Sequence, residues 1–314
     1  MTDAVAAPAR IGIIGLGSMG RPMGCNLVRR GYTVSGYDIS AAALTAAAVD
    51  GIAPATGPTV MAEQCDVVLI MVWDDQALRN TVFGPGGLLE GDRIRGCAID
   101  LSTTSVAVAR EVGQAIVARG GAFLDGAVIG GGVAAVRAGK SPIVLAGDRA
   151  AYERCLPVFA ALGTCDYVGA QGNAKAIKVI NNFLVGAVTA ANAEALALGS
   201  AMGLDLAELV GWLREGPGGS RVLDSYMGRY VEEGRYGEGL IGHRLMAKDM
   251  QLAAEFAESL GLSSTFARLG QQMYLTFARA LGGDRPFPSA LEYFRHASDA
   301  GSRASRETMR TAGR

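Results

Sequence analysis

Short apolar segments separated by amphipathic or alanine-rich segments dominate the first half of the chain. The apolar segments, which we predict to be strands, span residues 10–15, 32–38, 66–72, 97–101, 122–124, 141–146 and 164–168. The segments between them, such as residues 105–119 and 149–162, predict helices. Continuous apolar strands that alternate with helices indicate a largely parallel, doubly wound sheet covered on both faces.

After residue 169 the pattern contains helices only. Residues 174–202 form one long alanine-rich segment without proline, and residues 203–295 predict shorter helices separated by glycine turns. The long segment contains two lysines and three asparagines, which makes it too polar for a bilayer, so we expect no membrane partner. We therefore predict an all-α domain after the sheet domain. The predicted boundaries are 1–169 for the sheet domain, 170–296 for the helical domain (long interdomain helix about 172–202) and 297–314 for a loose tail.

Composition narrows the class of protein. The chain has 314 residues, of which 50% are hydrophobic and 19% charged, so it can bury a large core. Its net charge of −1 gives no reason to expect a nucleic-acid partner. Five scattered cysteines without a CxxC pair are typical of a reduced, cytoplasmic protein. With only two histidines, we expect no metal site and no Ser-His-Asp triad.

A glycine turn lies between the first predicted strand and helix. It consists of Gly15, Leu16, Gly17, Ser18, Met19 and Gly20, which match GxGxxG. In this motif the first glycine allows a tight turn, the second admits a pyrophosphate close to the backbone, and the third permits close helix–strand packing. Asp38 ends the next predicted strand, near the spacing at which an acid binds ribose hydroxyls. Together these features predict a Rossmann-type dinucleotide-binding domain.

The residues around Asp38 bear on which dinucleotide binds. A carboxylate there would repel the 2′-phosphate of NADP, and neither Ile39 nor Ser40 supplies an arginine to bind it. NAD is therefore the favoured cofactor. Arg21 lies beside the glycine turn and keeps NADP as the less favoured alternative.

Two side chains in the long helical segment are candidates for proton chemistry. Lys178 and Asn182 are four residues apart, so a helix presents both on one face. Alcohol oxidation needs a group that takes the hydroxyl proton, and a lysine can do this if burial or a nearby cation lowers its pKa. Lys175 lies one turn earlier, and helical periodicity alone does not choose between the two lysines.

Five blocks, in order, resemble the β-hydroxyacid dehydrogenase family, which includes 3-hydroxyisobutyrate dehydrogenase and tartronate semialdehyde reductase. The blocks are residues 15–27, 100–105, 125–131, 169–182 and the pair Lys248-Asp249. Together they span about residues 10 to 295. The resemblance therefore implies a Rossmann-type domain followed by a helical domain, and an oxidoreductase activity.

The resemblance also implies roles for individual residues. The spacing Lys-x-x-Asn-Asn selects Lys178 over Lys175 as the acid/base, and it makes Asn182 a substrate ligand. Thr103 is implied near the nicotinamide and the substrate, and Lys248 near the cofactor or a substrate carboxylate. An alternative for the segment Ser102-Thr103 is a cap of the helix that begins near residue 105.

The glycine pair Gly130-Gly131 is implied to offer backbone N–H groups to a substrate carboxylate. Ile129 departs from the family pattern, because it replaces a serine that helps to hold this carboxylate. A bulkier or less polar substrate is one interpretation, and sufficiency of the backbone donors is the other. The segment Met71-Val72-Trp73 ends a predicted strand where cofactor contacts are expected, and Trp73 stands in place of the usual proline. That tryptophan is predicted either to form a wall of the nicotinamide pocket or to lie in the core.

We therefore predict an NAD-dependent oxidoreductase that moves a hydride between nicotinamide and a 3-hydroxy acid, or its semialdehyde or keto form. The predicted partner is this small molecule. The resemblance also implies a homodimer or homotetramer, because interdomain helices of this family commonly pack across subunits. The alternatives are an imine reductase-like enzyme and a non-catalytic NAD(P)-binding protein of the same fold. Lys178 argues against the imine reductase, because such enzymes normally lack this lysine.

Overall fold

The structure is a computed structural model, and it describes residues 4–6, 9–236 and 240–296. The chain divides into two compact units, Met1–Val179 and Ile180–Arg314. The predicted loose tail, residues 297–314, lies outside the described residues. The boundaries predicted for the domains stay a prediction.

The first unit alternates strands and helices over nearly its whole length. Its elements are β1 (Arg10–Ile14), α1 (Gly20–Arg29), β2 (Thr33–Tyr37), α2 (Ala41–Val49), β3 (Ala53–Pro54), α3 (Pro58–Gln64), β4 (Val67–Ile70), α4 (Asp75–Phe83), β5 (Cys97–Asp100), α5 (Val106–Ala118), β6 (Ala122–Val128), α6 (Gly132–Arg137), β7 (Ser141–Gly147), α7 (Arg149–Phe159) and β8 (Gly163–Tyr167).

The strands form one sheet in the order β3-β2-β1-β4-β5-β6-β7-β8. Every neighbouring pair is parallel except β6 and β7, which run antiparallel. The predicted class, a doubly wound α/β domain followed by a helical region, is confirmed. Because the carboxyl ends of β1, β2, β4, β5 and β6 lie at one edge, the loops that follow these strands converge there.

Strand β6 is longer than the sequence pattern predicts. It continues past Leu124 to Val128, because Leu124–Val128 pairs with Ile143–Gly147 of β7. Gly126 interrupts the apolar pattern, and its lack of a side chain leaves room for Leu101 and Leu145. The two-residue strand β3 was also missed, since two residues produce no periodic signal.

Apolar layers cover both faces of the sheet. One cluster contains Ile13, Leu27 and Leu69, and the other contains Ile14, Val68 and Ile70. Adjacent residues of one strand thus enter different layers, as the period of two requires. This burial explains why the strands are continuously apolar.

The second unit consists of helices in its described residues. The long helix α8 (Asn173–Ala201) begins in the first unit and continues into the second. The elements that follow are α9 (Leu206–Glu215), a π-helical segment (Leu223–Gly228), α10 (Arg229–Glu233), α11 (His243–Ser259), α12 (Thr265–Leu281) and a 3-10 turn (Phe287–Ser289). Their core includes Leu196, Met250, Tyr274 and Phe277.

By length and composition alone, helix α8 could cross a membrane. It has 29 residues and a mean hydropathy of 1.3 over its most apolar window, of which 39% is buried inside the protein. A core helix of a soluble protein has the same properties, so this is weak support for a membrane span. The expected absence of a membrane partner stays a prediction.

Candidate functional site

The glycine turn between β1 and α1 has space beside Gly17 that no protein atom fills. A Cβ at Gly15 would overlap the carbonyl oxygen of Met71, and one at Gly20 would overlap that of Gly15, so the fold itself requires both glycines. Gly15 also has a φ of +93°, which favours glycine. At Gly17, however, a Cβ would meet no protein atom within 4 Å. The chain does not need a glycine at Gly17, whereas a dinucleotide pyrophosphate lying on the turn does.

Asp38 lies beside this turn at the end of β2. Its Oδ2 accepts a hydrogen bond from the backbone N–H of Leu16 at 2.7 Å, and its Oδ1 accepts one from Ser40 at 2.8 Å. A carboxylate has about four acceptor positions, so these two bonds orient Asp38 and leave capacity for ribose hydroxyls. The residues present therefore fit a nicotinamide dinucleotide.

Arg21, which kept NADP as an alternative, contacts an acidic residue of the protein. Its Nε lies 2.6 Å from Oδ2 of Asp50, and the hydrogen bond from this guanidinium lowers the pKa of Asp50. Both line a cavity of about 520 Å³ beside the glycine turn, together with Gly17 and Ser18. In this arrangement, Asp50 offsets the positive charge of Arg21.

The loops after β4 and β5 are joined by a side-chain hydrogen bond. Val72 donates its backbone N–H to the Oγ of Ser102 at 2.9 Å, and Thr103 follows half-buried. Ser105 caps α5 by accepting from the N–H of Val108 at 3.2 Å, so the capping role considered for Ser102-Thr103 belongs to Ser105. This leaves the Thr103 hydroxyl outside the α5 cap.

Trp73 is 64% exposed, so the alternative that placed it in the core was wrong. It follows β4 at the carboxyl edge of the sheet, three residues after the strand ends. The other alternative, a wall of the nicotinamide pocket, stays a prediction.

The loop after β6 contains three consecutive glycines in the left-handed region. Gly130, Gly131 and Gly132 have φ values of 125°, 73° and 55°. Ile129, which precedes them, is half-buried and donates its own N–H to the carbonyl of Pro142 at 2.8 Å. The backbone N–H of Ile129 is therefore already hydrogen-bonded to β7, and the isoleucine side chain has no hydrogen-bond donor.

The two candidate lysines of α8 lie in different surroundings. Lys175 is fully buried, with its Nζ 2.9 Å from Oδ2 of Asp100, which is also fully buried. Lys178 is half-buried, and its Nζ donates to the carbonyl oxygen of Val128 at 2.8 Å. Val128 ends β6 and immediately precedes the loop with Ile129. Lys178 therefore lies at the carboxyl edge of the sheet, while Lys175 is enclosed beneath it.

Two buried aspartates near Lys175 were not singled out from the sequence. Asp100 accepts from the N–H of Ser102, and Asp125 accepts from the N–H groups of Gly172 and Lys175. Burial raises the pKa of the Asp125 carboxyl. Each aspartate begins one of the blocks 100–105 and 125–131, and this was the sequence signal that could have identified them.

In the second unit, the residues singled out from the sequence are joined through Asp249. This aspartate is 3% exposed and accepts a hydrogen bond from the amide of Asn182 at 2.7 Å. Its Oδ1 lies 3.4 Å from the Nζ of Lys248. Asp249 thus connects two predicted ligands, although the sequence analysis gave it no role.

No group of three or more His, Cys, Asp or Glu side chains that could hold a metal ion occurs among residues 4–6, 9–236 and 240–296. The expected absence of a metal stays a prediction.

Comparison with protein families matches both halves of the chain. Residues 10–169 match the family described as the NAD binding domain of 6-phosphogluconate dehydrogenase. Residues 172–294 match the family described as NAD-binding of NADP-dependent 3-hydroxyisobutyrate dehydrogenase. Both descriptions specify NAD binding, and the second also names an NADP-dependent enzyme, so they leave the choice between NAD and NADP open.

Two of the similar relatives differ in name and in length. The chain is 32% identical over 277 residues to 3-hydroxyisobutyrate dehydrogenase of Pseudomonas aeruginosa, covering 86% of this chain and 92% of the relative. It is 31% identical to the cytokine-like nuclear factor N-PAC of Pongo abelii, covering 84% of this chain but only 48% of the relative. The chain thus spans about half the length of the N-PAC relatives it matches.

A solved structure supports the same comparison. The structure of Mycobacterium tuberculosis 3-hydroxyisobutyrate dehydrogenase with L-serine is 28% identical to the chain and superposes with a TM-score of 0.81. The match covers 91% of this chain and 99% of that protein. The resemblance inferred from the five sequence blocks is therefore confirmed.

Proposed function

Because the chain belongs to the β-hydroxyacid dehydrogenase family of NAD(P)-binding oxidoreductases, which act on CH–OH groups, we propose that it oxidises a 3-hydroxy acid or reduces the corresponding semialdehyde or keto acid. The nicotinamide ring, when bound, accepts or returns the hydride of the carbinol carbon. The chain itself must then bind the acid, orient its hydroxyl and move the hydroxyl proton. We assign the proton transfer to Lys178.

The observation that carries this assignment is the contrast between the two lysines of α8. The Nζ of Lys175 bonds to four buried protein oxygens, so it has no route to a substrate proton. Lys178 is half-buried, and its Nζ contacts the end of β6. In the neutral form Lys178 accepts the hydroxyl proton during oxidation, and in the charged form it returns the proton during reduction.

The remaining ligands are assigned by family resemblance and supported by their places in each unit. Gly130 and Gly131 offer backbone N–H groups to a carboxylate, and Thr103 lies in the neighbouring loop after β5. On the second unit, Asn182 and Lys248 are oriented by the shared carboxylate of Asp249. We propose that Asn182 holds the substrate oxygen and that Lys248 contacts the cofactor or the substrate carboxylate.

Ile129 distinguishes the proposed substrate from the usual small acids. A serine at this position would add a hydroxyl donor, whereas isoleucine adds apolar surface beside Gly130 and Gly131. One methylene in an apolar pocket changes discrimination by about 1–3 kcal/mol. We propose that the substrate is bulkier or less polar at this end.

NAD is the proposed cofactor. A carboxylate at Asp38, at the end of β2, would repel the 2′-phosphate of NADP, and Arg21 is paired with Asp50. The exposed Ile39, which follows Asp38, offers no positive charge to a phosphate.

We propose a homodimer or homotetramer in which helix α8 packs against a second copy. Apolar side chains recur along one exposed stripe of α8 at helical spacing. They are Ile180, Leu184 and Leu198, and Met202 continues the stripe one residue after the helix ends; their exposed fractions are 51%, 52%, 66% and 80%. An exposed apolar stripe of this length is typical of an interface between subunits.

The deciding experiment follows NADH formation by absorbance with purified protein and a panel of acids. The panel contains 3-hydroxyisobutyrate, 3-hydroxypropionate, glycerate, L-serine, threonate and 3-hydroxy acids with larger alkyl or aryl groups. We expect the wild type to turn over a larger acid. Lys178→Ala should lose this turnover but still bind NADH, as measured by fluorescence. Lys140→Met, a substitution of an exposed lysine in the first unit, is the matched control.

The alternatives predict other results. Turnover of small acids alone would mean that Ile129 has little effect on substrate specificity. NADH binding without turnover of any acid, in either direction, would favour imine reduction or a non-catalytic protein. Full activity of Lys178→Ala would refute the assignment of the proton transfer.

A further inference from the structure

We propose that Lys175 is a positioning residue, whose buried ion pair with Asp100 fixes the first turn of α8 and thereby sets the place of Lys178. This inference rests on the proposed function, because it assumes that Lys178 acts on the substrate. Neither family model nor the sequence resemblance assigns Lys175 a role.

The ammonium of Lys175 has more acceptors than protons. Besides Oδ2 of Asp100 at 2.9 Å, its Nζ lies 2.9 Å from the carbonyl oxygen of Asp100, 2.6 Å from that of Ser102 and 2.9 Å from that of Gly126. An ammonium has three protons, so four oxygens at these distances leave none for another partner. Lys175 therefore joins the ends of β5 and β6 to helix α8.

The carboxylate of Asp100 is held as firmly as the ammonium. Its Oδ1 accepts the backbone N–H of Ser102 at 2.9 Å, and its Oδ2 accepts the hydroxyl of Thr104 at 3.1 Å. Both members of the pair are fully buried. Since a buried charge without its partner is very costly, Lys175 and Asp100 have little freedom to move apart.

A second carboxylate, that of Asp125, binds the N-terminal end of α8 to the sheet. Asp125 on β6 accepts from the N–H of Gly172 at 2.7 Å and from the N–H of Lys175 at 3.2 Å. Gly172 immediately precedes α8 and Lys175 lies in its first turn, and N–H groups at the start of a helix have no partner within the helix. Backbone and side chain of Lys175 are thus both bonded to the sheet.

Lys178 follows Lys175 by three residues, which is about 4.5 Å along the helix axis. A rotation or shift of the first turn would therefore move Lys178 by a similar amount relative to Val128, its hydrogen-bond acceptor. The carbonyls bound by Lys175 belong to the segments that lead to Thr103 and to Ile129. One ammonium consequently sets the relative positions of three site segments in the first unit.

A purely structural role makes a different prediction. If Lys175 only stabilised the fold, replacing it would lower the melting temperature. The kcat of the molecules that remain folded would be unchanged. A positioning role predicts lower kcat in molecules that remain folded, because a displacement of 1 Å at a reacting group can cost about a hundredfold in rate.

The test compares Lys175→Met with the double variant Asp100→Asn/Lys175→Met, which removes both charges and so relieves the unpaired carboxylate. The panel acid that the wild type turns over best is the substrate, and Lys140→Met is the control. We expect both variants to lose about ten- to a hundredfold in kcat with little change in NADH affinity. Wild-type kcat in a folded variant would overturn the proposal.

Two further measurements keep the result decisive. If neither variant folds, Lys175→Arg keeps the positive charge but cannot place it on the same four oxygens, and an unchanged kcat in this variant would overturn the proposal. Chemical rescue separates the roles of the two lysines. Added methylamine should restore some turnover to Lys178→Ala, but none to Lys175→Met, which still contains Lys178.

The failure of the proposed function would look different. If no acid is turned over by the wild type, the position of Lys178 can be followed by its rate of reductive methylation with formaldehyde and cyanoborohydride. Peptide mass spectrometry gives this rate for Lys178 and, as internal reference, for Lys140. We expect the rate at Lys178 to change in Lys175→Met and the rate at Lys140 to stay constant. An unchanged rate at Lys178 would overturn the positioning role independently of any substrate.

Discussion

Asn182 donates a hydrogen bond from its side-chain nitrogen to Oδ2 of Asp249, with 2.7 Å between the two atoms. A carboxylate can only accept, so this bond fixes which end of the Asn182 amide faces Asp249. The carbonyl oxygen of Asn182 instead accepts from the amide of Asn181 at 3.1 Å. Asp249 therefore determines what Asn182 presents to a ligand.

Asp249→Asn should lower kcat/KM, although Asp249 itself is not proposed to contact the substrate. The new amide can face Asn182 either way and no longer attracts Lys248. Hydrogen bonds to charged groups contribute about 1.5–3 kcal/mol, so we expect kcat/KM to fall about ten- to a hundredfold. Steady-state kinetics measure this, with the exposed Asp284→Asn as the control in the same unit. An unchanged kcat/KM would show that Asn182 needs no fixed orientation.

Asp38→Asn should reduce the preference for NAD over NADP. The substitution keeps an acceptor for the N–H of Leu16 but removes the charge that would repel a 2′-phosphate. We expect weaker NADH binding and tighter NADPH binding, measured as the two dissociation constants by fluorescence. If the ratio of the two constants stays the same, Asp38 does not select the cofactor.

Ile129→Ser should shift the specificity toward small polar acids. A new hydrogen bond contributes about 0.5–1.5 kcal/mol, which corresponds to a gain of about two- to tenfold in kcat/KM for L-serine or glycerate. For the larger acids, kcat/KM should fall by a similar factor, because the substitution removes apolar contact. Ile129→Val keeps the apolar character and should show neither change, and equal shifts in both variants would contradict the argument.

The stability of the protein should fall between about pH 6.5 and 4 because of His243. This residue is fully buried and its Nε2 lies 2.7 Å from Oγ of Ser289. Burial lowers the pKa of His243 to about 4. The unfolded chain therefore takes up a proton in this window that the folded chain does not, so the free energy of unfolding decreases as the pH falls.

One such proton contributes a slope of up to about 1.4 kcal/mol per pH unit. Urea unfolding at several pH values should show that His243→Gln has a smaller slope than the wild type. His296→Gln, which replaces an exposed histidine, should keep the wild-type slope. Equal slopes in all three proteins would rule out His243 as the source.

Leu184→Glu should dissociate the proposed oligomer. Leu184 is 52% exposed on the apolar stripe of α8, and a buried glutamate in a subunit interface has no partner. Light scattering coupled to size exclusion measures the molar mass, which should fall to that of one chain. Val49→Glu on α2, at a residue that is 83% exposed, should leave the mass unchanged. A wild-type protein that is already a monomer would refute the proposed interface.

Local signals in the sequence determined much of this molecule. The apolar segments predicted the strands other than β3, because the faces of a sheet covered by helices require continuous apolar residues. The turn at Gly15–Gly20 was predictable since steric demands of the backbone restrict it to glycine at Gly15 and Gly20. The long helix α8 and the family blocks were visible for the same reason: each depends on residues that are close along the chain.

Only the tertiary structure decided the features that depend on distant partners. Lys175 and Lys178 are alike in the sequence, and they differ because Asp100, which lies 75 residues before Lys175 along the chain, encloses the first of them. Trp73 is apolar yet exposed, and β6 extends to Val128 because β7 returns beside it. Burial and ion pairing are properties of three-dimensional neighbours, and helical or strand periodicity contains no information about which neighbour will be there.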